Sequence, residues 1–204
     1  PLIVVPLFPQ YSSSTTAAVF DSLARQLAHC PDIPELHFVR DYHQFEPYID
    51  ALARSVEHHW RQHARGERLL FSFHGIPESY QQKGDPYAGE CLATARLVAQ
   101  KLGLHENQYS VAFQSRFGRQ EWVKPYTYKL LIEWAEQGIR KIDVICPGFA
   151  TDCLETLEEI AIQNKERFIE HGGETFNYIP CLNDTPEHAR ALARLVLSRQ
   201  PDKQ

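Results

Sequence analysis

The stretch Ile145-Cys-Pro-Gly-Phe-Ala-Thr-Asp-Cys-Leu-Glu-Thr-Leu-Glu-Glu-Ile160 decides the fold. Ile142 to Ile145 reads as the end of a buried strand, Pro147-Gly148 as a turn, Thr151 or Asp152 as an N-cap, and the residues beyond as a helix. A strand passing through a short turn into a helix is the unit of a parallel α/β sheet, and ligands sit outside the carboxyl ends of such strands. At about 100° per residue, Asp152, Glu155 and Glu159 share one helix face, with Leu154, Leu157 and Ala161 roughly opposite. The expectation is a carboxylate stripe looking outward from the sheet edge. Glu155 and Glu159 are four apart and repel by a few tenths of a kcal/mol, roughly, and no Lys or Arg relieves them before Lys165. Such a stripe is either a solvated face or, given a partner elsewhere, a divalent-cation site.

Working outward, strand and helix signals alternate. Strands are expected at Leu2 to Leu7, Leu36 to Val39, Leu69 to Phe73, Tyr109 to Phe113, Ile142 to Ile145 and Thr175 to Ile179. Helices are expected at about Ala17 to His29, Tyr48 to Ala64, Ala88 to Leu102, Tyr126 to Gln137 and Pro186 to Leu197. Repeated βα units with short connections imply an α/β fold: a parallel sheet with helices on both faces. Val5-Pro-Leu-Phe8, a Ser/Thr loop and a helix echo Cys146-Pro-Gly-Phe149, Thr-Asp and a helix, which hints at two related halves.

Composition bounds the function. The chain has 204 residues, 43% hydrophobic and 23% charged, enough for a core of ordinary proportions. A net charge of −5 without any basic run gives no attraction to nucleic acid. No apolar stretch approaches the ~20 residues of a membrane span, and no signal peptide is evident, so the reading is cytoplasmic. Cys30, Cys91, Cys146, Cys153 and Cys181 contain no Cys-x-x-Cys pair, which argues against a disulfide framework or a zinc knot. The chain contains no methionine and opens inside a strand, from which an absent upstream segment is expected.

Candidate chemistry gathers at strand ends. His74 follows Leu69-Leu-Phe-Ser-Phe73 and so shares an edge with the acidic helix. Imidazole and carboxylate together suit iron, zinc or cobalt, and imidazole can also accept a proton. Phe113-Gln-Ser-Arg-Phe-Gly-Arg-Gln-Glu-Trp122 can wall a pocket for a flat apolar ligand, with Arg116 or Arg119 free for an anionic group. The Ser12 to Thr16 run is either a helix cap or a holder of an anion. His59 and His63 have two-histidine metal spacing on a polar face and are read as solvated.

Taken together, these residues resemble the ferrochelatase family. The strings PLFPQYSSSTT (6–16), FSFHGIPESYQQKGDPY (71–87), FQSRFGRQEW (113–122), CPGFATDCLETLEEIA (146–161) and YIPCLND (178–184) stand in the family's order and at its spacing, nearest its proteobacterial branch. The resemblance implies a chelatase-like two-domain fold: a remnant of the first domain at 1–34, a complete second domain at 35–182, and a C-terminal helix at 183–204 packing back on the first. It implies insertion of Fe²⁺ into protoporphyrin IX, with porphyrin and Fe²⁺ as partners, and the absent amino-terminal segment supplying one lip of the cleft. His74 and Glu155 become the catalytic pair, and His74, Glu155, Asp152 and Glu159 the residues that handle metal. Tyr11, Ser12, Phe113, Gln114, Ser115, Trp122 and Phe149 become the substrate-binding set. A family position often occupied by His is Cys153 here. The position of a cluster-ligating Cys in animal members is Ser13, so no resident cofactor and no iron–sulfur cluster is expected. An apolar ring as substrate is compatible with peripheral contact at the inner membrane. The bare pattern also allows a non-catalytic carrier of metal or tetrapyrrole, or a chelatase for another metal or ring.

Overall fold

A computed structural model describes residues 1–199. The chain begins with a strand–helix–strand run: β1 (Leu2–Val4), α1 (Thr16–Leu27) and β2 (Leu36–Phe38). β1 is shorter than expected because Pro6 has no N–H to offer a ladder. β1 and β2 pair in parallel, Leu2 against Leu36 and Val4 against Phe38, as a separate two-stranded sheet. The boundary expected at residue 34 falls between these two paired strands, and α2 (Glu46–Gln62) follows β2.

The larger sheet is built from β3 (Arg68–His74), β4 (Tyr109–Gln114), β5 (Lys141–Ile145) and β6 (Thr175–Ile179). Its order is β4-β3-β5-β6, all parallel. The central strands are buried on both faces, so they read as near-continuous apolar runs. Alternate residues of β3 serve two cores. Phe71 and Phe73 pack with residues of α2, α4 (Tyr87–Lys101) and α8 (Pro186–Leu197), while Leu70 packs with Leu131 and Trp134 of α5 (Thr127–Glu136) and with Ile160 and Phe168. Helices therefore cover both faces. α8 packs on α2. The last residues of the expected 183–204 segment, 200–204, lie outside the described residues.

One carboxylate inside the core was not foreseen. Asp143 of β5 is fully buried and accepts from Trp60 Nε1 at 2.6 Å, Gly66 N at 2.9 Å and Asn177 Nδ2 at 2.8 Å. Three donors satisfy a charge that would otherwise be expensive to bury. Gly66 is required here, because a Cβ would lie 2.7 Å from the Ile142 carbonyl carbon.

After β3 the chain moves to one side of that strand, and β5 and β6 lie on the other. The loops leaving the carboxyl ends of β3 and β5 diverge there, at the point where α/β sheets hold ligands.

Candidate functional site

His74 is the last residue of β3, opposite Gln114 of β4. The next residue must turn within contact of two neighbours: a Cβ on Gly75 would stand 3.0 Å from both the Gln114 carbonyl and Trp122 Cε3. The Gly75 carbonyl accepts from His74 Nδ1 at 2.7 Å. That bond places the proton of a neutral imidazole on Nδ1 and leaves Nε2 a lone pair. His74 lines a cavity of about 420 Å³ whose walls include Ser12, Ile76, Tyr80, Trp122 and Phe149. The Trp122 and Phe149 rings lie 6.2 and 6.3 Å from the imidazole, and Phe117, 68% exposed, packs edge-on to Trp122.

The loop from Pro9 to Thr16 forms one side of this cavity and is held by two carboxylates distant in sequence. Asp85 accepts from Ser12 Oγ (3.0 Å), Ser13 N (2.7 Å), Ser13 Oγ (2.7 Å) and Tyr87 N (3.0 Å). Burial works to raise its pKa, but these bonds outweigh it and hold the carboxyl below the usual range. Glu90 accepts from Tyr11 N at 2.7 Å. Tyr11, of the expected substrate-binding set, lies outside the lining of this cavity, its ring beneath the Arg40 guanidinium at 4.2 Å.

The acidic segment departs from the helical-wheel reading. Cys153 is the N-cap, α6 is a single turn (Leu154–Leu157), Glu159–Asn164 is π-helical, and α7 (Lys165–Glu170) follows. Leu154 is 77% exposed and Leu157 48%, so they do not form the packed face. The buried residues are Thr156, Ile160, Asn164 and Phe168, four apart throughout. A π segment closes i→i+5 bonds, such as Gln163 N to Glu158 O at 3.0 Å, and carries more residues per turn than an α-helix. The wheel at 100° per residue therefore does not describe the faces of this segment, although Leu154 and Leu157 lie in its α-helical turn. Asn164 Nδ2 donates to the Glu159 carbonyl at 2.9 Å, a side-chain bond added to the backbone bonds of the π segment.

The three acids consequently do different things. Asp152 accepts from Tyr178 Oη (2.6 Å), Asn183 Nδ2 (2.8 Å), Cys181 N (3.2 Å) and Thr156 Oγ1 (3.2 Å), tying the loops after β5 and β6. Burial opposes its ionisation, yet these donors lower its pKa. Glu159 accepts from Ser115 N at 2.7 Å and Ser115 Oγ at 2.6 Å, fixing a residue with φ of 63°. Glu155 is the least encumbered. The neighbouring Cys153 thiol and the backbone N–H of Glu155 hold its carboxyl below the usual range, against a smaller opposing effect of burial. Burial, with Glu155 alongside, pushes the Cys153 thiol up, so the group that replaces His is a neutral thiol.

The expected residues therefore divide between two compartments. Ser12, Trp122 and Phe149 join His74, while Phe113, Gln114 and Ser115 line a wider cavity of about 720 Å³ with Glu155 and Glu159. Gln114 is buried and committed to Ser72 Oγ (2.7 Å) and the Glu155 carbonyl (2.6 Å), so it bridges β3, β4 and α6. Of the four residues expected to handle metal, His74 lines one cavity and Glu155 and Glu159 the other, while Asp152 and Glu159 have both carboxylate oxygens engaged by protein donors. His59 and His63 stack at 4.3 Å rather than splaying around an ion. Sequence reading missed Asp85 and Asn183, whose roles depend on partners that only the fold brings near.

Comparison with known proteins adds a lineage. The family model described as Ferrochelatase matches residues 1–200. A ferrochelatase of Vibrio cholerae is 55% identical over 96% of this chain and 61% of its own length, and one of Marinobacter nauticus is 52% identical over 96% and 53%. The chain thus spans about half to three fifths of the length of these curated relatives. Among solved structures, CbiX, the terminal enzyme for biosynthesis of sirohaem in denitrifying bacteria, superposes with a TM-score of 0.65 at 14% identity over 98% of this chain and 76% of its own. SirB from Bacillus subtilis with Fe³⁺ gives 0.63 at 13% identity, over 96% and 70%. These two show a chelatase-like fold.

Proposed function

The chain belongs to the ferrochelatase family, and from that premise we propose that it carries the metal-inserting edge of a lyase that places Fe²⁺ in protoporphyrin IX to give protohaem. The observation that carries the reading is His74: its Nδ1 is committed to the Gly75 carbonyl, and Nε2 is left as an acceptor on the wall of an apolar cavity.

Metalation requires two pyrrole N–H protons to leave, the ion to shed water, and the planar ring to bend, a distortion of roughly 1–5 kcal/mol drawn from binding of the ring. Trp122, Phe149 and Ile76 are apolar surfaces that can seat the macrocycle, while His74 Nε2 takes a pyrrole proton. Glu155, held ionised, receives the incoming Fe²⁺ as substrate from the wider cavity. Glu159 and Asp152 act as anchors for Ser115 and Asn183, so their part in metal passage is the positioning of the helix that bears Glu155. No resident cofactor enters the scheme. Ser13, at the position of the animal cluster ligand, gives both its amide and its hydroxyl to Asp85. No helix among the described residues is long and apolar enough to cross a membrane. Exposed Phe117 beside Trp122 supports delivery of the ring from a lipid surface.

The test is metal insertion, read as Zn- or Fe-porphyrin by absorbance, for this chain and for the longer Vibrio cholerae relative with matching substitutions. Turnover that disappears with His74→Ala and with Glu155→Gln supports the enzyme. Stoichiometric porphyrin binding without turnover in every form would make the protein a carrier instead.

A further inference from the structure

Asp41, His43 and Glu90 lie outside both cavities, yet among the described residues they are the group of three metal-capable side chains whose donor atoms all fall within 4.8 Å of one another. Asp41 and His43 come from the loop after β2, and Glu90 from α4, where its side chain is only 10% exposed. Each carboxylate is used on both sides. The outer oxygens, Asp41 Oδ2 and Glu90 Oε1, accept from Arg40 Nη1. The inner oxygens, Asp41 Oδ1 and Glu90 Oε2, stand 2.8 and 3.4 Å from His43 Nδ1. One imidazole proton is thus shared toward two carboxylate oxygens, with Arg40 orienting both from behind. In metal sites, the supporting partners of ligating carboxylates play this orienting part.

We propose that these three side chains form a divalent-cation site separate from the metal-inserting edge, with the ion taking the place of the His43 Nδ1 proton. A tetrahedral ion with bonds of about 2.0–2.2 Å needs donor–donor edges of roughly 3.3–3.6 Å. The Glu90–His43 spacing of 3.4 Å already meets this, and the Asp41–His43 pair at 2.8 Å has to open only slightly. One nitrogen and two oxygens, with a water as fourth ligand, select zinc-like transition ions over Mg²⁺ or Ca²⁺, which take all-oxygen shells. Two carboxylates against one guanidinium leave the group anionic when His43 is neutral, and that field attracts a cation. His43 Nε2 lies 2.9 Å from the Gln44 side-chain amide, and turning that amide lets Nε2 carry the proton once Nδ1 binds metal. Glu90 Oε2 also accepts from Tyr11 N at 2.7 Å. The ion would therefore lock the loop that leads from Tyr11 to Ser12 at the cavity, a structural role that stands whether or not the chain is a chelatase.

The experiment is calorimetric titration of the whole, tag-free, chelator-stripped chain with Zn²⁺, with Co²⁺ absorption in the visible reporting four-coordination. The expected result is one Zn²⁺ per chain that survives the His74→Ala/Glu155→Gln double replacement, weakens at least tenfold in His43→Gln, and loses its Co²⁺ band there. Circular dichroism checks each fold, and if His43→Gln does not fold, Asp41→Asn carries the same expectation. Affinity unchanged in His43→Gln and Asp41→Asn, loss of all binding in the His74/Glu155 double, or loss only with His59→Asn would each overturn the site.

Discussion

His74 has one ring nitrogen spoken for and one free, so the two parts of its role can be separated experimentally. His74→Ala is expected to lower porphyrin metalation by about 10²–10⁴, the range for loss of a positioned proton acceptor, while the thermal midpoint moves little because the residue is only half-buried. A drop in turnover matched by an equal drop in stability would indicate a structural histidine. Asp85 gives the opposite pattern. Its folded pKa lies below the ~3.9 of an unfolded Asp, so it contributes stability at neutral pH that persists down to about pH 4 and is lost as pH falls through the lower folded value. Asp85→Asn should cost about 1–2 kcal/mol above pH 5, discounted for its partial exposure. The gap to wild type should close below about pH 4, as thermal melts across pH would show; a gap constant from pH 3 to 7 would refute it. His74 and Glu155 were legible in the sequence because a strand end and a first helical turn advertise themselves locally. Asp85 was not, since its partners Ser12 and Ser13 lie more than 70 residues away and only the tertiary fold joins them.

Among the elements, β6 and α8 follow the sequence pattern residue for residue, and the other strands and helices differ by a few residues at their ends. The acidic helix is the exception, and the reason is local backbone chemistry rather than packing alone. Periodicity carries no mark of an i→i+5 turn, and the apolar positions Leu154 and Leu157 stand exposed while Thr156 and Asn164 are buried. Burying Asn164 is tolerable because its side chain caps the Glu159 carbonyl inside the helix. Asn164→Leu retains bulk but removes that donor. It should destabilise the chain by about 0.5–1.5 kcal/mol, the net worth of one lost hydrogen bond, and lower the melting midpoint by about 2–4 °C per kcal/mol. It should also loosen the Glu159–Ser115 contacts one turn away. An unchanged or higher midpoint would mean that the π turn is held by its neighbours without Asn164.

For the whole molecule, the question is what joins the two-stranded unit to the four-stranded sheet. The sequence suggested two units, but Leu36–Phe38 could belong to either sheet on its pattern alone, and only the register shows which strand it meets. A lone two-stranded pair is marginal in water, so the junction has to supply order. It does so through backbone amides donated to carboxylates of the other unit: Tyr11 N to Glu90 and Ser13 N to Asp85. Each is a charge-assisted bond worth about 1.5–3 kcal/mol, and about 1.4 kcal/mol corresponds to tenfold protection from exchange. Replacing both acceptors, as Asp85→Asn with Glu90→Gln, should therefore speed hydrogen exchange at Tyr11 and Ser13 by about tenfold or more. Amides in β3 and β5, buried on both faces by two cores, should keep their rates. Equal acceleration in both places would mean that the units open together and that the joint is global. Acceleration confined to the loop would show that one side of the His74 cavity moves on a hinge whose stiffness the two acids set.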